Sequence, residues 1–391
     1  MSFFGDLNFF VLLLIISVPA IVLGVLEKPL KYYRMAVSIV VILLFFGSDF
    51  HKAIYLVTFI LGEFTLIKAY LAVRSKGRNP IVYRLFLIIS LLPLGLCKLS
   101  EVTDFSIYQF LGISYLTFRV VQIIIEIYDD VIKDITAVDY FDFILCFATF
   151  SSGPIDRSRR FIEDANRVLT RGQYFDLLGS GIQKIIIGIL YKFVLSSFVF
   201  QYVQAYADTY SVLSIIKYSY SYGIYMFFDF AGYSLMAIGA SYILGIKTPD
   251  NFNKPFISLD LKDFWNRWHM SLSFWFRDFV FSRIMMTFIR KKYFNSKLTG
   301  ASIAFIANMS VMGIWHGLAW QYILYGIYHG VLLAVTEVYQ KKSKFHKNNK
   351  KKTWYKCISW AFTINFVMFG FLIFSGEFTD ILGILIERIW V

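Results

Sequence analysis

Phe9 to Leu26 reads FFVLLLIISVPAIVLGVL, 18 residues without a charge. As a helix this run rises about 27 Å, close to the roughly 30 Å of hydrocarbon in a bilayer. A backbone N–H or C=O in hydrocarbon finds no water, so a run of this kind crosses lipid as a helix, with its hydrogen bonds closed internally. Comparable windows follow at about 34–48, 53–73, 82–98 and 107–127, then near 176–204 and 212–246, and again at 301–339 and 355–375. Only 17% of the 391 residues are charged and 58% are hydrophobic, whereas a soluble domain carries about 25% charged residues. The expectation is an all-α polytopic membrane protein, one integral domain over 1–391, with no internal repeat and no separate soluble domain. No basic segment precedes the first run and no small-residue cleavage site follows it, so it is expected to stay as a permanent span.

The net charge is +13. Lys28, Lys31 and Arg34 form one basic cluster, and Arg74, Lys76, Arg78 and Arg84 form the next, between alternate spans. The positive-inside rule makes both cytoplasmic and puts the N-terminus outside. Lys341 to Lys356 carries eight lysines and is expected to be a cytoplasmic loop facing headgroups. The tail Glu377 to Val391 reads equally as an amphipathic end or a short return span, so the side of the C-terminus stays open. Phe141 to Phe150 is apolar but short and runs into SSGPIDRSRRF, which suits a re-entrant or interfacial segment. From Phe252 to Lys292 aromatics alternate with Lys254, Lys262, Arg267, Arg277, Arg283 and Arg290, a pattern for short helices dipping into the cytoplasmic face. Cys97, Cys146 and Cys357 are isolated in apolar surroundings and imply neither a metal site nor a disulfide framework.

Ionisable groups at membrane depth line a pathway or pair with one another. His316, in VMGIWHGLAW, lies about midway along the 301–339 run. Gly313 and Gly317 form a small-xxx-small pair that admits another helix or a ligand. A neutral imidazole there can take a proton from a hydroxyl, or it can simply pack. His269, in WNRWHMS, sits among tryptophans and arginine and reads either as functional or as part of an interfacial belt. His329 follows His316 by 13 residues, which on a continuous helix turns it about 140° away, off any shared pocket. His51 and His346 fall in expected loops. Asp229, in YMFFDFAGYS, needs a cationic partner, for which Arg267 and Arg277 are the candidates. Asp156 and Arg157 read as a structured turn. The chain has no GxSxG elbow, Walker A loop, HExxH pair, Cys/His zinc pattern or dinucleotide fingerprint, so neither a metal site nor a cofactor of its own is expected.

Four stretches occur in order: SSGPIDR (151–157), YMFFDFAGYSLMAIG (225–239), FWNRWHMSLSFWFRDFVF (264–281) and MGIWHGLAWQYILYGIYHG (312–330). Together they resemble the membrane-bound O-acyltransferase family, over a core of about 107–340. FLGISYLTFR (110–119), NFNKPFISLDLKDF at the front of the third stretch and FLIFSGEF (371–378) are similar to its D-alanyl transfer branch. Leu235 stands where the alginate-acetylating branch usually has Asp, which favours the former.

The resemblance implies a ring of about ten to twelve transmembrane helices, with re-entrant or short interfacial helices and a central funnel or tunnel. It implies a cell-membrane enzyme of a Gram-positive bacterium working in lipoteichoic acid biosynthesis. D-alanine would arrive as a phosphopantetheine thioester on an acidic D-alanyl carrier protein and leave on a hydroxyl of lipoteichoic acid. His316 would be the general base and His269 would position or polarise the reacting groups, with Trp268, Trp315, Asp229, Arg267 and Arg277 along the tunnel. The carrier would dock at Arg283, Ile284, Met285, Met286, Phe288 and Arg290, where basic charge meets its acidic surface. The competing expectations are another polysaccharide O-acetyltransferase on the same scaffold, and a transporter that uses His316, His269 and Asp229 as a polar relay.

Overall fold

A computed structural model of the chain describes residues 3–47, 49–103, 107–207 and 211–390, the last seven by backbone alone. Among these residues every regular element is helical. The helices pack as two compact units, Met1–Ile189 with Gly232–Asp250 and Leu190–Ala231 with Asn251–Val391.

The first unit opens with α1 (Leu7–Val25), α2 (Lys31–Phe46), α3 (Phe50–Arg74) and α4 (Pro80–Leu99). Asp6, Asp49 and Asn79 cap α1, α3 and α4 by accepting backbone N–H groups of the first turn, the usual N-cap chemistry. Then come α5 (Ile113–Tyr128), the short α6 (Ala137–Leu145) and α7 (Ser158–Asn166), and α8 (Arg171–Ile189). Apolar side chains of α1 to α8 make one continuous core.

Inside that core sit charges whose partners lie far away in the sequence. Lys31 and Arg34 belong to the first turn of α2, not to a free basic cluster. Arg34 holds Asp142 of α6 through two bonds of 3.0 and 2.5 Å and donates a third to the Leu244 carbonyl at 3.0 Å; both side chains are 1% exposed. Lys31 pairs with Asp139 at 2.6 Å. Arg119 donates to the carbonyls of Phe143 and Thr149 at 2.7 and 2.5 Å, which satisfies the backbone where α6 stops. Asp156 is buried, paired with Arg160, and accepts the Arg157 backbone N–H at 2.7 Å; burial pushes its carboxyl up despite these partners. SSGPIDR is therefore a stapled turn, and Ser151 bonds Tyr233 at 2.5 Å to tie it to the 232–250 segment.

The second unit begins with a π-helical turn, Leu190–Leu195, and α9 (Ser196–Tyr206). The long α10 (Val212–Ile243) follows, then α11 (Leu261–Trp265), α12 (Met270–Phe276) and α13 (Ser282–Lys291). α14 (Lys297–His316) and α15 (Trp320–Lys342) form a hairpin, and α16 (Lys344–Asn349), α17 (Thr353–Ser375) and α18 (Glu377–Trp390) complete the described chain. The short helices expected between 252 and 292 are present. The tail is helical over Glu377–Trp390; Val391 lies outside the described residues.

Among the described residues, seven helical stretches can cross a membrane by length and composition: α1, α3, α4, the run Arg171–Tyr206, α10, α14 and α17. α2 and α5, within windows read as spans, have 16 residues each and rise about 24 Å. The run read as continuous over 301–339 is two helices.

The Arg34–Asp142 pair gives a direct test. Removing one partner of a buried ion pair strands the other charge and costs about 3–5 kcal/mol, while an apolar double replacement of similar volume is often near neutral. Thermal unfolding in detergent is expected to show Asp142→Leu strongly destabilised and Arg34→Met/Asp142→Leu largely recovered. Equal loss in both variants would mean that the site responds to volume, not charge.

Candidate active site

The α14–α15 hairpin is built on backbone contact. A Cβ at Gly313 would collide with the Tyr322 carbonyl oxygen and come within 3.1 Å of the Gly326 Cα. One at Gly326 would collide with the Met309 carbonyl, and one at Gly330 would lie 2.7 Å from the Ile306 Cα. Small residues let helices approach this closely in lipid, where dispersion and not hydrophobicity drives association. Gly317, expected to share that packing face, instead ends α14 in an extended conformation (φ 175°). His316 is consequently the last residue of α14, not a mid-helix group.

The turn-back surrounds His316 with aromatic rings. Trp315, Tyr322, Tyr325 and Phe374 lie at centroid distances of 4.6, 6.2, 6.3 and 5.1 Å. Tyr325 also touches His329 at 4.6 Å, and Trp265 touches His329 at 5.3 Å. His329 is 1% exposed, packed so tightly on Gly370 that a Cβ there would collide with Nε2. His316 and His329 lie on two helices, not one, and in the hairpin both reach Tyr325.

His269 stands just before α12 in the left-handed region, φ 43° and ψ 53°, a conformation costing an L-residue on the order of 1–2 kcal/mol. Asn251 holds the turn that imposes it. Its carbonyl accepts Met270 N–H at 2.8 Å, and its side-chain oxygen accepts Ser271 Oγ–H at 2.6 Å. The Arg267 carbonyl accepts Asn253 N–H at 2.9 Å. Such bonds contribute about 0.5–1.5 kcal/mol each, enough to offset the strain. His269 is 4% exposed, lies 4.7 Å from the Phe230 ring, and its Nδ1 has no hydrogen-bond partner among the described residues. It lies between the candidate spans. Burial first, then the neighbouring His316, pushes its pKa down to about 3. The two histidines are therefore electrostatic neighbours and His269 is neutral at physiological pH. Phe276 of α12 touches Trp315 at 6.5 Å and joins the two supports.

Other sequence candidates go elsewhere. Asp229 pairs with Lys192 at 2.5 Å, not with Arg267 or Arg277. Arg267 bonds Asp263 one turn earlier at 2.7 Å. Arg277 pairs with Asp278 at 3.2 Å and stacks 4.4 Å over Phe274. Trp268 is buried among Phe252, Phe264 and Phe371 at 5.0–5.6 Å and supports the turn from inside. His51 lies in the first turn of α3 and His346 in α16, not in loops.

A cavity of about 240 Å³ beside α12 is lined by Trp265, Ser273, Arg277, Asn308 and Met312 among others. Trp265 Nε1 and Asn308 Oδ1 are buried there without a hydrogen-bond partner among the described residues. Tyr325, Phe374, Phe230, Asn251 and Lys192 were not legible as site residues. Phe230, Asn251, Tyr325 and Phe374 fall inside the stretches that carry the resemblance, and Lys192 lies outside them; no short motif shows which ring or backbone group each one meets.

A model of the membrane-bound O-acyltransferase family matches residues 81–378. The chain belongs to that family. Among its relatives, the teichoic acid D-alanyltransferase of Bacillus subtilis is 43% identical over 389 residues, 96% of this chain and 98% of that protein. The protein of the same name from Streptococcus thermophilus is 40% identical, covering 97% and 96%. A probable alginate O-acetylase, AlgI of Azotobacter vinelandii, is 30% identical over 69% of this chain and 52% of its own length. The protein is thus an O-acyltransferase that passes the membrane several times.

The hairpin contact is testable against an open control. Gly62, in α3, has nothing within 4 Å of a Cβ position, so Gly62→Ala is expected to be neutral or stabilising by up to about 1 kcal/mol. Gly313→Ala is expected to lower both the thermal midpoint and activity, because backbone must move. Equal behaviour of the two variants would remove the hairpin argument.

Proposed function

We propose that this membrane-bound O-acyltransferase transfers D-alanine from a phosphopantetheine thioester on a carrier protein to hydroxyls of lipoteichoic acid. Near-complete coverage of the D-alanyltransferases favours this over polysaccharide acetylation, since the alginate O-acetylase match spans only half of that protein. The observation that carries the mechanism is the neighbouring His316 and His269, walled by aromatic rings. Their setting suits a reaction that needs orientation and a base more than activation, because a thioester is already activated.

The acceptor hydroxyl gives its proton to His316 as its oxygen attacks the thioester carbonyl. The C–S bond then breaks, an ester C–O bond remains, and the thiolate takes the proton back from the imidazolium. His269, neutral and clamped, is a positioning group beside His316, and its Nδ1 has no hydrogen-bond partner among the described residues. Trp265 Nε1–H and Asn308 Oδ1 are a donor and an acceptor suited to the amides of the pantetheine arm. The phosphopantetheine is the carrier's, and the enzyme contributes no cofactor.

Docking of an acidic carrier falls to α13 in this reading. Met286 and Ile289 are each 54% exposed, and Arg290 beside them forms no ion pair among the described residues. Phe288 packs on Tyr293 and Phe294, so it shapes the surface from below, while Ile289 joins Arg283, Ile284, Met285, Met286 and Arg290 as a contact. The basic residues Arg74, Lys76, Arg78 and Arg84 between α3 and α4 support an extracellular N-terminus; a protease-cleavable N-terminal tag should be cut in intact protoplasts.

His316→Ala is expected to lower D-alanyl ester on teichoic acid about 10²–10⁴-fold, the range for a lost general base, at normal membrane abundance. Unchanged ester would make His316 structural. Met286→Asp/Ile289→Asp is expected to raise the carrier concentration needed for half-maximal transfer while leaving the rate at saturation nearly unchanged. Full carrier affinity in that variant would remove α13 as the docking site.

A further inference from the structure

Away from the histidines, α15 and α17 touch at Tyr328, whose hydroxyl donates to the Phe366 carbonyl at 2.9 Å, and at His329 against Gly370. From Phe366 toward α16 the space between them is a groove of about 680 Å³. Its two ends differ in chemistry. Val335, Phe362 and Phe366 line one end and are 58%, 62% and 40% exposed. Lys350, Lys356 and His346 line the other.

We propose that this groove holds one anionic glycerophospholipid, its phosphate against Lys350 and Lys356 and an acyl chain along Val335, Phe362 and Phe366. Lys356, Ser359, Phe362, Thr363 and Phe366 fall on one face of α17 and line the groove. From Lys356 to Phe366 the helix rises about 15 Å, half of the roughly 30 Å hydrocarbon core, so the groove spans one leaflet.

The charge is available. Residues 341–356 contain eight lysines and no carboxylate, and neither Lys350 nor Lys356 forms an ion pair among the described residues. The carboxylate that lines the groove, Asp260, is already engaged: it accepts Lys262 N–H and Asp263 N–H at 2.9 Å and Gln340 Nε2–H at 2.8 Å. His346 Nδ1 bonds Tyr355 Oη at 2.8 Å, and that hydroxyl bonds Tyr339 Oη at 3.1 Å, so the imidazole is fixed at the groove wall with Nε2 left for an occupant. Burial and then Lys350 hold His346 below its ordinary pKa; a phosphate between them would relieve that field. A zwitterionic lipid leaves the lysines uncompensated, and a free phosphate leaves the apolar end open to the bilayer.

Native mass spectrometry of the full chain, loaded with phosphatidylglycerol or phosphatidylcholine of matched chains, tests this. Phosphatidylglycerol is expected to be retained preferentially. A basic residue near a phosphate is worth about 1 kcal/mol and 1.4 kcal/mol is tenfold, so Lys350→Gln/Lys356→Gln should weaken retention roughly thirtyfold. Lys341→Gln/Lys351→Gln, in the same run but outside the groove lining, should leave it unchanged. Ser359→Trp, which fills the groove and keeps the charge, should weaken long-chain lipid and spare a dihexanoyl analogue. Equal loss in the two lysine pairs would overturn the site in favour of diffuse attraction by the run. Equal retention of phosphatidylcholine, or a dimer that excludes lipid, would overturn it as well.

Discussion

The backbone contact between α14 and α15 is the constraint on which the site depends. Gly313 lies against Tyr322 and Gly326, and Gly330 against Ile306, so no side chain separates the helices. That closeness folds the chain back directly after His316 and brings Tyr322 and Tyr325 to its ring. In hydrocarbon, apolar side chains gain little by leaving lipid for protein, and shape-matched small residues supply the association instead.

His269 depends on a different device. Its left-handed backbone would relax if left alone, and the bonds from Met270, Ser271 and Asn253 around Asn251 and Arg267 prevent that. Trp268, stacked on Phe264 at 5.6 Å, anchors the turn in the apolar interior. The opening of this stretch, FWNRW, is therefore scaffold: Arg267 closes a local pair with Asp263 and Trp268 packs. The candidate site is a neutral histidine presented by a strained turn beside a second histidine at a helix end.

A polar group deep in an apolar run is costly wherever it sits, so His316, His269 and Asp229 stood out without any structure. Partners did not. Lys192 is 37 residues before Asp229, and no periodicity connects them; Arg267 and Arg277 were nearer candidates only in sequence. The partners of Lys31 and Arg34 were hidden in the same way, because Asp139 and Asp142 arrive from a helix 108 residues on. Hydropathy also cannot see a reversal of direction. Residues 301–339 stay apolar through Gly317, so one run and a hairpin read alike.

The sequence by itself determined the solvent, the helical class and the family, and it singled out the two histidines as candidates, because each follows from local composition or short motifs. Tertiary structure decided where α14 stops, which rings enclose His316, what bends His269 into place and which cation meets Asp229. Those outcomes come from contacts between segments far apart in the chain, and their energies belong to pairs of surfaces, which a one-dimensional pattern does not specify.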